Sequence, residues 1–179
     1  MQATALILAT TRETDEASKA AAFDRAVRQS EAQILRIAYR ILGNWADAED
    51  VAQDVFIRLH GHGLNFANET ARDAWLYRVT VNRSIDRRRS SRPMDELPEL
   101  KTPGSSAETD LLRTERKRAL MNALASLPPK ERAAVVLREI EEVSTAEVAV
   151  ALGSTEATVR SQVSRAIARL RTLLAGEGR

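Results

Sequence analysis

A proline-rich stretch in the middle of the chain limits its fold more than any other feature. Residues 93–109, "PMDELPELKTPGSSAET", contain Pro93, Pro98, Pro103 and Gly104. Proline lacks the backbone N–H that a helix interior needs, so no regular helix continues through this stretch. The sequence therefore predicts two separate units joined by a flexible linker, which could span roughly 56 Å when fully extended.

The pattern of apolar residues predicts that both units are helical. Aromatic residues make up 4% of the 179-residue chain, whereas strands are enriched in aromatic and β-branched residues. No run alternates with the two-residue period of a strand. We expect an all-α protein of two small helical domains, divided into a mobile N-terminal extension (1–22), a first domain (23–92), the linker (93–109) and a second domain (110–175).

Three helices are predicted in the first domain. One begins at Phe23 and stops at Gly43, a residue typical of helix C-termini. A second covers about 45–60 and carries apolar residues at i, i+3, i+4, i+7 and i+11. The segment "GHGLNFANET" is typical of a loop, and the third helix covers about 70–91.

Helix start and stop signals are dense in the second domain. The prolines at 128–129 predict a helix start, and Ser144 with Glu147 forms a capping-box pattern. Gly153 ends the short helix that follows, and Thr155 is placed to cap the next one. A short helix, a glycine turn and a longer helix have the layout of a helix-turn-helix.

The last helix has one polar and one apolar side. Thr158, Ser161 and Arg165 lie opposite Val159 and Val163 on a helical wheel. In a helix-turn-helix the second helix enters the major groove of DNA, where arginine can bind guanine with two hydrogen bonds. An amphipathic hairpin with a merely solvated polar face is the alternative that this pattern leaves open.

The stretch "AWLYRVTVNRSIDRRRSSRP", residues 74–93, carries an unusual density of positive charge for a helix. Tyr77 falls on the apolar face, whereas Trp75, Arg78 and Asn82 share a different face. Arginines suit DNA phosphates, and an aromatic ring beside them can stack on an unpaired base. A buried tryptophan on a helix with a basic C-terminal end is the other interpretation.

The second predicted helix has the opposite charge. Asp47, Asp50 and Asp54 align on it, which fits a metal site, acid–base chemistry, a solvated face or a docking surface for a basic partner. His60 and His62 follow in the loop, but two histidines without a third ligand are a weak metal signal. We therefore predict no metal site and no cofactor.

Composition and motifs exclude several further classes. The chain has no cysteine, so disulfides and thiolate metal sites are absent, as is typical of a reducing compartment. Its sequence contains no phosphate-binding loop, dinucleotide fingerprint or serine nucleophile elbow. The longest N-terminal apolar run, "ALILA", is too short for a signal peptide or a membrane span. We expect a soluble, cytoplasmic protein.

Three segments, taken in order, resemble bacterial sigma factors of the extracytoplasmic function (ECF) group of the sigma-70 family. "GNWADAEDVAQDVFIRLH" is similar to region 2.1–2.2 and "AWLYRVTVNRSIDRRR" to region 2.3–2.4. The segment beginning "LPPKERAAVVLREIEEVSTAEVAVALGSTEATVRSQVSRAIARLR" is similar to region 4. The resemblance covers roughly residues 23–174.

The resemblance implies a transcription initiation factor that binds core RNA polymerase and promoter DNA and performs no catalysis. It places contacts with the β′ clamp helices of the polymerase on Asp47, Glu49, Asp50, Gln53 and Asp54. Recognition and melting of the −10 promoter element fall on Asn65, Phe66, Asn68, Trp75, Tyr77, Arg78, Asn82, Arg83, Arg87 and Arg88. Recognition of the −35 element falls on Thr155, Glu156, Thr158, Arg160, Ser161, Ser164 and Arg165. The second domain should also touch the β flap, and an anti-sigma factor is implied as a further partner.

Two other functions remain as alternatives. A free-standing helix-turn-helix regulator would use only the second domain, and a metal-dependent hydrolase would use the aspartates with His60.

The chain departs from the family at a few positions. Glu142 stands where the family often has glycine. Ala157 stands where glycine is frequent, and Ser154 where a small apolar residue is common.

Overall fold

The computed structural model describes residues 2–90 and 107–176, with side chains described for 17–88 and 114–175. Within these residues every regular element is helical, which confirms the predicted all-α class. The helices are α1 (Gln2–Leu42), α2 (Trp45–His62), α3 (Glu69–Ser90), α4 (Ala107–Ala125), α5 (Pro129–Val135), α6 (Thr145–Leu152) and α7 (Glu156–Gly176). A five-residue π-helical segment, Val136–Ile140, follows α5 directly.

Helix α1 begins much earlier than the periodicity predicts. It runs without a break from Gln2, so the segment assigned to a mobile extension is the N-terminal part of this helix. The physical reason is local, because the range 2–42 contains neither proline nor glycine and is rich in alanine, the residue with the highest helix propensity. The predicted stop is confirmed, since Gly43 follows the helix with a φ of 80°.

The first domain consists of α1, α2 and α3, which pack against one another. Ile34 and Ile37 on α1, Val55 on α2 and Leu76 and Val81 on α3 are buried at their shared centre. Asn44 caps α2 by accepting a hydrogen bond from the backbone N–H of Asp47 at 3.1 Å. The loop between α2 and α3 is short and turns at Gly63, whose φ of 62° favours glycine.

The second domain, α4 to α7, confirms the predicted start and stop signals. Pro129 opens α5, and Ser144 and Glu147 form a complete capping box on α6. Gly153 ends α6 in the left-handed conformation, with a φ of 59°. The hydroxyl of Thr155 accepts a hydrogen bond from the N–H of Thr158 at the start of α7.

The two domains pack against each other, which nothing in the sequence predicts. Helix α3 lies against α6, and the buried apolar residues of both domains form one continuous cluster. Arg132 of α5, only 1% exposed, donates a hydrogen bond to the carbonyl oxygen of Ile41 at 2.7 Å. Arg88 of α3 donates to the carbonyl oxygen of Ala125 at 2.6 Å. These bonds satisfy carbonyl groups at the C-terminal ends of α1 and α4.

The π-helical segment directs a carboxylate into this contact. The N–H of Glu141 bonds to the carbonyl oxygen of Val136, five residues earlier, at 2.9 Å. The Glu141 carboxylate forms ion pairs with Arg36 and Arg40 of α1. The next residue, Glu142, has a φ of 57°. That left-handed conformation favours glycine, which agrees with the glycine that the family often has there.

Candidate nucleic-acid interface

The outer face of α3 carries the exposed part of the predicted −10 surface. Arg78 and Asn82 are one turn apart on this helix and both are exposed. Trp75, one turn before Arg78, is partly buried, and its ring centroid lies 5.7 Å from that of Phe66 and 5.1 Å from that of His62. The guanidinium of Arg78 and the amide of Asn82 therefore lie on the same helix face as Trp75, next to the aromatic cluster.

Two residues of the predicted −10 set face inwards instead. Tyr77 is buried, and its hydroxyl donates a hydrogen bond to Gln33 at 3.1 Å. Burial, reinforced by the negative charges of Asp73 and Glu147, raises the pKa of the Tyr77 phenol. This placement agrees with the helical wheel and leaves the ring no open face towards DNA. Arg88 is partly buried against the second domain, and burial lowers its pKa.

The arginines of α3 neutralise part of the acidic face of α2. Arg83 bonds to Asp54. Arg87 bonds to Asp47 at 2.7 Å and to Asp50 at 2.8 Å, and the hydrogen bond to Asp47 is the main cause of the raised pKa of Arg87. The predicted DNA-binding and polymerase-binding surfaces therefore share ion pairs.

Glu49, the remaining acidic residue of α2, faces solvent beside an apolar groove. Glu49 and Gln53 line this cavity of about 680 Å³ between α1 and α2, together with Phe56 and Ile57. Ile57 is 65% exposed, which is unusual for an isoleucine. Sequence reasoning placed the charges here but missed the apolar half of the surface.

The α2–α3 loop contains the three predicted residues Asn65, Phe66 and Asn68, in different roles. The Asn68 side chain accepts a hydrogen bond from the N–H of Ala71 at 2.8 Å, so it caps the start of α3. Phe66 is partly buried and stacks on His62, with ring centroids 4.6 Å apart and planes at 11°. Asn65 is exposed.

The histidines and aspartates do not assemble a metal centre in the described part of the chain. No group of three or more potential ligands lies together among these residues. His60 packs edge-on against Phe23 at 5.2 Å, and His62 stacks on Phe66. The aspartates of α2 bond to arginines, as described above, so the metal-hydrolase alternative has no geometric support here.

Helices α6 and α7 form the predicted helix-turn-helix. Val159 and Val163 on α7 are buried against the rest of the domain. The opposite face of α7 and its cap are exposed and contain every residue of the predicted −35 set: Thr155, Glu156, Thr158, Arg160, Ser161, Ser164 and Arg165. The helical-wheel prediction for this face is confirmed.

Two arginines on α7 lie beside a largely buried carboxylate of α5. Glu131 is 3.6 Å from Nε of Arg165 and 3.1 Å from Nε of Arg169. Arg160 pairs with Glu156 one turn earlier at 3.1 Å. Glu131 thus holds Arg165 near the surface of the recognition helix, a contact that the sequence does not reveal because Arg165 lies 34 residues further along the chain.

Two family models match the chain in the order that the motifs predict. One, described as Sigma-70 region 2, matches residues 26–93. The other, described as Sigma-70, region 4, matches residues 117–170. The first match contains α2 and α3, and the second contains the helix-turn-helix.

Curated proteins and solved structures agree with these matches. The ECF RNA polymerase sigma factor SigE of Mycolicibacterium smegmatis is 39% identical over 86% of this chain, and the match covers 62% of that protein. The RNA polymerase sigma-E factor of Streptomyces avermitilis is 36% identical, and the match covers 83% of each chain. The structure of CnrH in complex with the cytosolic domain of CnrY has a TM-score of 0.67 and 25% identity, covering 87% of this chain and 88% of that one.

The length and polarity of a helix decide whether it can cross a membrane. Within the described residues, none of the helices is both long enough and apolar enough to cross a bilayer.

Together, the two family models, the relatives and the fold identify the chain: it belongs to the ECF group of the sigma-70 family of RNA polymerase sigma factors.

Proposed function

We propose that this chain is a dissociable initiation subunit that directs core RNA polymerase to specific promoters and performs no catalysis itself. The observation that carries the proposal is the pair of exposed polar helix faces, one on α3 in sigma region 2 and one on α7 in sigma region 4. A free-standing regulator would need only the second of these faces. The α3 face, with its arginines beside an aromatic cluster, fits opened DNA better than an intact duplex.

Core polymerase docks on the outward side of α2. Glu49, Asp50 and Gln53 are exposed there, and Ile57 adds an apolar contact. An apolar centre surrounded by charge is typical of protein interfaces. In the free chain, Asp47 and Asp54 bond to arginines of α3 behind this surface.

Promoter DNA binds at both polar faces. Trp75, Arg78 and Asn82 contact the −10 element and stabilise its open form, while Arg83 and Arg87 exchange carboxylate partners for phosphates. The α7 face, from Thr155 to Arg165, reads the −35 element in the major groove. Tyr77 and Arg88 support the α3 face through packing rather than contact with DNA.

The family implies two further partners and a location. An anti-sigma factor holds the chain until a signal arrives, in keeping with the solved relative CnrH, which was captured with the cytosolic domain of another protein. The protein acts in the cytoplasm, where core polymerase and the chromosome are found. The β flap of the polymerase contacts the second domain.

Run-off transcription with core polymerase tests the proposal. We expect promoter-dependent transcripts only when this chain is present. The double variant Glu49→Lys/Asp50→Lys reverses the charge of the docking surface. It should weaken core binding at least about tenfold, because like charges across an interface cost several kcal/mol. Glu115→Lys on the exposed part of α4 is the matched control. Tight sequence-specific DNA binding by the chain alone, with neither core binding nor transcripts, would instead identify a free-standing regulator.

A further inference from the structure

A largely buried carboxylate lies beneath the helix that carries the predicted −35 set. Glu131 is in the first turn of α5, which packs against α7, and its side chain is only 10% exposed. Glutamate is almost never buried to this extent unless it is paired. Its ion pairs are with α7, to Arg165 at 3.6 Å and to Arg169 at 3.1 Å. One negative charge on α5 therefore holds two positive charges on α7.

The two arginines reach into solvent while Glu131 stays inside the domain. Their side chains are 58% and 57% exposed. Nε of Arg165 also donates a hydrogen bond to the carbonyl oxygen of Ser161 at 3.3 Å. Because Arg165 contacts the protein through Nε, its two terminal amino groups are left for the bidentate pair that arginine forms with guanine.

The contact between Glu131 and Arg165 acts through charge. At 3.6 Å it is too long for a hydrogen bond, but the attraction between opposite charges is stronger where water is partly excluded. An amide in place of the carboxylate would fill the same space without this attraction. The electrostatic role of Glu131 can therefore be separated from its packing.

The ion pair between Glu156 and Arg160 on α7 has a different character. Its two side chains are at least half exposed and lie one turn apart on the same helix. Solvent and salt screen such pairs, so they hold an arginine weakly. The enclosed carboxylate of Glu131 is therefore the stronger constraint on the arginines of α7.

Loss of the Glu131 carboxylate would change how both arginines meet DNA. Like charges one turn apart on a helix repel each other, and each long side chain would turn towards the nearest phosphates. Phosphate contacts raise the affinity for every DNA sequence, whereas base contacts carry the sequence information. Without Glu131, binding to any DNA would gain at the expense of binding to one sequence.

We propose that Glu131 is a positioning residue that sets the sequence specificity of α7. Its carboxylate holds Arg165 in the orientation that reads a base and keeps Arg169 from binding phosphates indiscriminately. This inference rests on the proposed function, since it requires that α7 reads the −35 element. It goes further by assigning specificity to a residue of α5 that acts through the arginines rather than by touching a base.

Competition binding with holoenzyme tests the inference. Wild-type holoenzyme first selects a preferred −35 duplex from a randomised pool. Affinities are then measured for this duplex, for its single-base-pair variants and for a duplex of random sequence, each at several salt concentrations. The comparison gives the base preference and the salt dependence of each variant separately.

Glu131→Gln should lower specificity while raising non-specific binding. We expect the preference over random sequence to fall about tenfold, chiefly at the base pair to which Arg165→Ala is sensitive. The salt dependence of non-specific binding should steepen by about one phosphate contact. Glu115→Gln, which removes the same charge from the exposed part of α4, should change neither quantity.

Glu131→Asp separates charge from packing. It keeps the carboxylate on a shorter side chain, so it should retain more of the base preference than Glu131→Gln. The reverse order would show that Glu131 acts by packing, and the inference would be wrong. In a double-mutant cycle, Glu131→Gln should cause little further loss of preference in Arg165→Ala, and two independent losses would also contradict the inference.

Two further outcomes distinguish the inference from the proposed function. An equal loss of affinity on every duplex in Glu131→Gln would overturn the inference and leave the proposed function intact. If wild-type holoenzyme selects no sequence from the pool, both are overturned.

Discussion

Glu141 in the second domain lies 3.0 Å from Nη2 of Arg36 in the first, and it also pairs with Arg40. Its side chain is only 3% exposed, while Arg36 remains about half exposed. Burial and the nearby charge of Arg36 lower the pKa of Arg40. A carboxylate this enclosed depends on its charged partners. The stability of the contact between the two domains therefore depends on Arg40 and Arg36, which lie 101 and 105 positions earlier in the chain.

We expect Glu141→Gln to loosen the contact between the two domains. The change removes the charge from a nearly isosteric side chain, and losing charged hydrogen bonds costs about 1–3 kcal/mol. Because the chain has no cysteine, dyes on Arg28→Cys and Lys130→Cys report the inter-domain distance by energy transfer. Transfer efficiency should fall in Glu141→Gln and stay at the wild-type value in Glu142→Gln, which makes the same charge change one residue later. Equal efficiency in both variants would show that Glu141 does not hold the domains together.

Glu142→Gly should stabilise the second domain. The residue has a φ of 57°, and a left-handed conformation costs a residue with a Cβ roughly 1–2 kcal/mol. Part of that gain is lost to the greater flexibility of glycine in the unfolded chain, so we expect a net increase of about 1 kcal/mol in the free energy of unfolding, measured with urea. Glu139→Gly, in the π-helical segment, should destabilise by a similar amount. A loss of stability in Glu142→Gly would contradict the assigned backbone conformation.

Arg165→Ala should weaken binding of holoenzyme to the −35 element by about 1–3 kcal/mol and relax the preference at one base pair. The matched control is Arg169→Ala, because Arg169 also pairs with Glu131 but lies one turn further from the start of α7. Competition binding against duplexes with single base changes is the measurement. An equal loss on every duplex would make Arg165 a phosphate contact.

The two tyrosines should make stability fall in alkaline solution. Burial raises the pKa of both Tyr39 and Tyr77 above the ordinary value near 10. The folded state therefore keeps protons that the unfolded chain has released, so the unfolding free energy is unaffected below about pH 10 and decreases as the pH rises further. Urea titrations at several alkaline pH values should show this decrease, with a shallower slope in Tyr77→Phe. Tyrosinate absorbance that develops at the ordinary pKa in the native protein would contradict the burial of these rings.

Short-range chemistry explains why much of the fold could be predicted from the sequence. The capping box at Ser144 and Glu147, the glycine turn at Gly153 and the proline at the start of α5 all act within four residues. Their geometry hardly depends on distant parts of the chain. The helix-turn-helix and its exposed face were predictable for this reason. The predicted start of α1 is wrong, because apolar periodicity is a weaker guide there than the lack of helix-breaking residues.

The sequence by itself determined the all-helical class, the start and stop signals of α5 and α6 and which face of α7 meets solvent, since these depend on neighbours three or four residues apart. Only the tertiary structure decided that Arg83 and Arg87 pair with the acidic face of α2, that Tyr77 and Arg88 turn inwards, and that Glu141 joins the domains. Each of these contacts links residues 29 to 105 positions apart. Such pairs form only when packing brings whole helices together, and the local pattern of a helix carries no information about the helix it will meet.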